Sequence, residues 1–197
     1  MGRGGGPPGG GPPFSLGTTP PPMLRPALLV ALALVAVPAM AQEGGAEGYG
    51  TGDEVFEAAL GYAVPFAKGV VARGDTLVPF GLALTAPAVP NVVQTWDEAL
   101  TGQEALAATI ETLRALAVEG LAAEGGPPRP LVGSALALDI LTDVPGRDGK
   151  TDAIAVIFEA PGRPGAVSYV LPYVRDGRGG IEYLDPYVRP QPPVLIP

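Results

Sequence analysis

The run between Thr151 and Val174 constrains this chain more than any other feature. It reads as two β-strands, Asp152–Phe158 and Ala166–Tyr173, joined across Ala160-Pro-Gly-Arg-Pro-Gly165. In the first arm Ile154, Val156 and Phe158 share one face, and Ala153, Ala155 and Ile157 share the other. A strand with one wet face alternates apolar and polar residues, so a strand that is apolar on both belongs in the middle of a covered sheet. The second arm sets Val167, Tyr169 and Leu171 against Ala166, Ser168 and Val170. A hairpin is marginal alone, so the remaining chain must supply further strands and helices.

Those partners can be read in order. A first helix is expected to start near Asp53, with Thr51 or Asp53 as its cap and Val55, Phe56, Ala59, Leu60 and Ala63 as its buried stripe. Pro65 either ends it at Val64 or kinks it, and in the kinked reading Gly74 is the stop. Thr76–Thr85 reads as a strand with Val78, Phe80, Leu82 and Leu84 toward the core, and Pro79 hints at an edge or a bulge. Asn91–Gln94 is a candidate return strand.

A second helix is expected from Gly102 to about Glu124. Thr101-Gly-Gln-Glu104 and Thr95-Trp-Asp-Glu98 both have capping-box spacing, and Leu106, Ile110, Leu113, Leu116, Ala117 and Leu121 form the apolar stripe. Leu131–Leu141 is the next strand. Asp143–Thr151 is a polar turn, and Ile181–Leu184 is a short last strand, beyond which Pro186 ends regular structure. The order α-β-(β)-α-β-β-β predicts an α+β fold: an antiparallel sheet of four to five strands with two packed helices.

Domain organisation follows from composition. Residues 1–22 are Gly- and Pro-rich and lack the apolar surface to offset the entropy of ordering. Met23-Leu-Arg25, the apolar run Ala27–Val37 and Ala39-Met-Ala41 together have the form of a secretory signal peptide over residues 23–41, cleaved after Ala41. Residues 1–22 then read as an upstream extension of a chain starting at Met23, the alternative being a long n-region. Residues 42–52 read as a flexible leader, 53–185 as one globular domain, and 186–197 as a Pro-rich tail. A periplasmic or secreted location is expected, with no membrane span in the mature protein.

Arg3 and Arg25 are the only charged side chains in residues 1–41, so cleavage takes the net charge from −8 to −10. An acidic protein of this kind does not suit nucleic acid or anionic membrane surfaces, which reward basic patches. The chain has no cysteine and no histidine, which removes thiol nucleophiles, thiolate metal sites and the usual neutral-pH acid–base group. Ser134 and Ser168 fall inside predicted strands, outside any Gly-x-Ser-x-Gly elbow. No motif for a cofactor is present, and none is expected.

Leu77-Val-Pro-Phe-Gly-Leu-Ala-Leu84, Asp152-Ala-Ile154, Glu159 and Leu171-Pro-Tyr173 carry a resemblance. Over roughly residues 53–173 the chain resembles small uncharacterised bacterial domains with a Pro-Phe-Gly strand after the first helix and an Asp-Ala-Ile strand ending in Glu. Its element order is similar, by analogy only, to profilin-like and roadblock-like domains. The resemblance implies architecture and assigns no activity.

Candidate site residues are few. Asp139, Asp143, Asp148 and Asp152 surround one inter-strand turn and offer oxygen ligands to calcium, although the spacing does not fit an EF-hand loop and Asp148-Gly149 also reads as turn chemistry. Asp139, Asp152 and Glu159 are the candidates for a carboxylate-dependent hydrolase, with Asp139 and Glu159 facing each other across the sheet. Tyr173, Tyr183 and Tyr187, with Arg175 and Arg189, make a candidate binding rim for a protein or small ligand; the alternative is that they pin the tail to the domain. The expected function is therefore a non-catalytic interaction or accessory module, with a hydrolase as the competing class.

Overall fold

The computed structural model describes residues 53–95, 100–122 and 126–196. The segments read as extension, signal peptide and leader lie outside the described residues, as do Trp96 and most of the Thr95–Glu98 capping sequence. Two helices and seven strands follow in the order α1 (Glu54–Ala72), β1 (Phe80–Thr85), β2 (Val89–Val93), α2 (Gly102–Glu119), β3 (Leu131–Asp143), β4 (Lys150–Glu159), β5 (Ala166–Arg175), β6 (Ile181–Tyr183) and β7 (Tyr187–Gln191). All pair antiparallel in one sheet of order β2-β1-β3-β4-β5-β6, with β7 on β5. The α+β class and the antiparallel sheet are as expected. The strand number is seven rather than four to five.

α1 begins where Asp53 accepts the N–H groups of Val55 and Phe56, both at 3.1 Å. Arg163, from the β4–β5 turn, pairs with the same carboxylate and ties the helix start to the central hairpin. The helix runs through Pro65, which is exposed, so the hydrogen bond it cannot make is missing on the side where water reaches the freed carbonyl. It ends at Gly74, whose φ of 78° lets Asp75 N–H return to Val70 O and Gly74 N–H to Val71 O.

α2 opens with the reciprocal Thr101–Glu104 capping box. It ends five residues earlier than the sequence suggests. Gly120 adopts φ 81°, and Leu121 then exchanges two 2.8 Å backbone hydrogen bonds with Arg129, which pulls the chain out of the helix.

β4 is central and buried on both faces. Ile154, Val156 and Phe158 pack with Phe56, Ala59, Ala63, Ala67 and Val71 of α1. Ala155 and Ile157 pack on the other face with Leu106 and Leu113 of α2 and with Leu195. The helices thus lie on opposite faces of one sheet. β1 is likewise covered on both sides rather than on one, and it is internal, so Pro79 marks the residue before the strand and not an edge. By length and hydropathy α1 suffices to cross a membrane; here its apolar stripe is buried in the sheet.

The largest departure is at the C-terminus. β7 pairs with Ala166–Val170, the half of β5 not taken by β6. β6 and β7 therefore form one edge strand interrupted at Leu184–Pro186. Three residues lie between Tyr183 and Tyr187 where two lie between their partners Tyr173 and Val170, a bulge of one. The prolines expected to end regular structure instead occupy an edge, where a missing donor is tolerated.

A Cβ added at Gly133 would sit 2.8 Å from the Phe158 ring and 2.9 Å from Val55, both part of the α1-side core. Gly133→Ala is expected to destabilise the fold by about 1–3 kcal/mol, read as a lower urea midpoint at unchanged slope. A midpoint equal to that of the wild type would mean α1 is not seated this closely.

Candidate functional site

The two faces of the sheet separate the predicted carboxylates. Asp139 and Asp152 share the α1 face, whereas Glu159, opposite Ser134 in the β3–β4 register, points to the α2 face. The expected Asp139–Glu159 pair is therefore not formed. Glu159 is instead buried at the C-terminal segment, where its carboxylate accepts the N–H groups of Val194, Leu195 (2.8 Å) and Ile196 (2.7 Å).

On the α1 face Tyr173 is buried, not part of an exposed rim, and its hydroxyl donates to both oxygens of Asp139 at 3.1 and 3.2 Å. The ring lies 6.1 Å from that of Tyr183, and the Arg175 guanidinium lies 5.6 Å from its centre. Lys68 sits 4.2 Å above Tyr183, while Arg175 donates to Val71 O at the C-terminal end of α1. Two cations thus gather at the negative end of the helix dipole, each over an aromatic face.

Burial pushes the Asp139 carboxyl up to about 6, with the Tyr173 hydroxyl opposing that rise and the neighbouring Asp152 adding to it. The residue as a whole is still reached by water, which keeps the shift short of that of a fully enclosed carboxyl. Tyr173 is raised above its ordinary value by burial, reinforced by the Asp139 and Asp152 charges.

An open cleft of about 690 Å³ lies where the β3–β4 turn meets the break between β6 and β7. Asp143, Arg147, Glu182, Tyr183, Asp185 and Tyr187 contribute to its walls. Tyr187 is fixed by a 2.7 Å hydrogen bond between its hydroxyl and that of Thr142. Tyr183 belongs to both the cleft and the cation–aromatic stack. Three acids against one base make the cleft acidic and aromatic.

Two of the rim residues expected from sequence, Tyr183 and Tyr187, thus meet. Tyr173 and Arg175 lie behind Tyr183, and Arg189 stands opposite Ser168 on β7, outside the cleft. Among the described residues no group of three or more acids converges in a way that would hold a metal ion, so the four-aspartate calcium site is not formed. Strand geometry accounts for this: Asp139 and Asp143 are four residues apart on extended β3, about 14 Å at 3.4 Å per residue. Asp143 stands opposite Lys150, and Asp148 lies in the turn.

Sequence reasoning missed Lys68 and Thr142, which meet their tyrosines only through tertiary packing. It also missed the role of Glu159, although an acid ending a strand that is apolar on both faces is itself a sign of waiting donors. Comparison with family models, with curated proteins and with solved structures returned no match.

The raised Asp139 value has a definite stability sign. The folded form holds this proton more tightly than the unfolded chain, whose aspartates titrate near 3.8. The group's contribution is complete below that value and is lost as pH rises through about 6. Between about pH 4 and 6.5 the wild type should therefore lose more Tm than Asp139→Asn does. Parallel curves for the two proteins would remove the assignment.

Proposed function

We propose that this chain is an exported, non-catalytic interaction module whose acidic aromatic cleft takes a Lys- or Arg-bearing segment of a partner protein. One observation carries the reading: Tyr183 and Tyr187 share an open cleft with Asp143, Glu182 and Asp185. Aromatic faces and carboxylates together favour a cation, the first through the ring quadrupole and the second through charge.

The rest of the surface offers less. Both sheet faces are covered, so recognition through an exposed sheet face has no place to occur. The edges carry Pro90 on β2 and Pro190 on β7, which discourages pairing with an added strand. The sheet end remains, and the cleft is there. Export rests on the signal-like run at residues 23–41.

A second reading is favoured by Asp139. A carboxyl raised to about 6 beside a second acid, Asp152, is suited to general acid–base work, and hydrolysis by carboxylates alone is the class that would use it. Turnover of a nitrophenyl ester or glycoside panel by the wild type but not by Asp139→Asn would move the function to that class.

For the cleft, tetralysine should bind and tetraglutamate should not, as read by calorimetry at low salt. The overall negative charge attracts tetralysine generally, so the variants decide. Tyr187→Ala and Asp143→Asn should each weaken binding by about fivefold, near 1 kcal/mol. Affinity unchanged in both would sink the assignment. For export, the intact mass of secreted protein should begin at Gln42, and a mass that retains residues 23–41 would reject cleavage.

A further inference from the structure

We propose that the Asp148-Gly149 step in the β3–β4 turn is a site of spontaneous modification, where aspartate converts through a cyclic succinimide to isoaspartate, while the fold protects the matching step in the β5–β6 turn. The chain has two Asp-Gly steps, and their neighbours in sequence are nearly the same: Arg147-Asp-Gly-Lys150 and Arg175-Asp-Gly-Arg178. Both lie in exposed turns, and a Cβ added at Gly149 or Gly177 would meet nothing within 4 Å. Sequence and access treat the two alike. What separates them is the hydrogen bonding of each turn.

The chemistry needs only the step itself and water. The Gly149 amide nitrogen attacks Cγ of the protonated Asp148 carboxyl. The N–Cγ bond forms, a Cγ–O bond breaks, and the hydroxyl leaves as water with the amide proton. Water then adds to one of the two ring carbonyls. Opening at the Asp148 main-chain carbonyl breaks its bond to the Gly149 nitrogen and leaves the chain running through Cγ, which is isoaspartate; opening at Cγ restores aspartate. The net change is an isomerisation without oxidant or reductant. Glycine favours it because no side chain obstructs the approach of its nitrogen.

Asp176 is held out of this reaction. Its Oδ1 accepts the Arg178 N–H at 2.9 Å and the Gly180 N–H at 2.6 Å, the Asx arrangement of a tight turn. Its main chain is tied as well, Asp176 N–H donating to Gly180 O at 2.9 Å and Gly179 N–H to Asp176 O at 3.2 Å. Turning Cγ onto the Gly177 nitrogen and expelling an oxygen gives up the side-chain pair. The β3–β4 turn has one bond of this kind, from Arg147 N–H to Val144 O at 3.1 Å. Among the described residues neither the Asp148 carboxylate nor the Gly149 N–H has a hydrogen-bond partner, so nothing opposes their approach.

The product adds one atom, Cβ of Asp148, to the main chain between β3 and β4. That turn supplies Asp143, Val144, Pro145 and Arg147 to the cleft, so isomerisation alters one of its walls. Only this consequence rests on the binding reading above; the modification is read without any ligand.

The test ages the full chain in mildly acidic buffer, folded and separately unfolded in guanidinium, and maps it with a protease that cuts before aspartate but not before isoaspartate. Fragmentation mass spectrometry then reads the isoaspartate at each step. In the folded chain it should accumulate at Asp148 about tenfold faster than at Asp176, the rate equivalent of one hydrogen bond to a charged group. In guanidinium the two rates should converge, because the neighbouring residues match. Comparable rates at the two steps of the folded chain overturn the proposal. A gap of the same size in guanidinium also overturns it, since the fold would not be its source. Asp148→Glu keeps the charge and lacks the succinimide route, so product at this step should fall to background; product that persists there overturns the assignment.

Discussion

Among the described residues Glu159 is the one acidic residue buried as a whole, and the C-terminal third is arranged around meeting it. A buried charge left unpaired costs several kcal/mol, whereas each hydrogen bond to it contributes about 1.5–3 kcal/mol. Pro192 and Pro193 have no N–H to offer, so the first donors after β7 are those of Val194, Leu195 and Ile196. The bend at Val194 and Leu195 turns these successive N–H groups toward a single anion. That geometry requires β7 to deliver the segment, and β7 in turn requires the free half of the β5 edge. The last ten described residues are thus part of the fold and not an appendage to it.

Prolines have a second task in this sheet. Its outer strands are β2 at one side and the interrupted β6–β7 at the other, and Pro90, Pro186 and Pro190 fall on or between these outer strands. An edge strand with gaps in its donors is a poor template for another chain, which keeps a seven-stranded sheet from growing by self-association. With α1 on one face and α2 plus the C-terminal segment on the other, the ends of the strands are what the packing leaves uncovered. The bulge at Leu184–Pro186 opens the cleft at such an end.

Periodicity made the centre of this fold legible. The double-sided apolar pattern of Ile154–Phe158 placed β4 in the middle of a covered sheet, and Thr101 with Glu104 fixed the start of α2. Local signals of that kind need no knowledge of what lies across the sheet. The early end of α2 was hidden because Gly120 acts through a tertiary bridge between Leu121 and Arg129, while the more conspicuous Gly125-Gly-Pro-Pro drew the boundary too late. β7 was hidden because Pro186 and Pro190 are breakers in an internal strand but acceptable on an edge, and edge position is a property of the assembled sheet. The candidate site was half legible. Tyr183 and Tyr187 were visible as a rim, but the face assignments of Asp139 and Glu159 depended on strand register, where the two prove to be on opposite sides.

The gathering of polar side chains at one end of α1 follows from the helix itself. Its last carbonyls carry partial negative charge, and Arg175 donates to one of them while Tyr183 donates to another, that of Lys68, at 3.4 Å. Those contacts hold the Tyr183 and Tyr173 rings within 6.1 Å of each other beneath two cations. Tyr173 is thereby positioned to donate to Asp139, and partial desolvation of the carboxyl against the buried tyrosine is what lifts it toward neutrality, although the residue as a whole is exposed. Tyr183 is also a wall of the cleft, so two neighbouring rings, Tyr173 and Tyr183, stand between Asp139 and the cleft. The helix terminus, the two cations and the two rings thus form one connected cluster, which runs from the raised Asp139 carboxyl to the wall of the cleft.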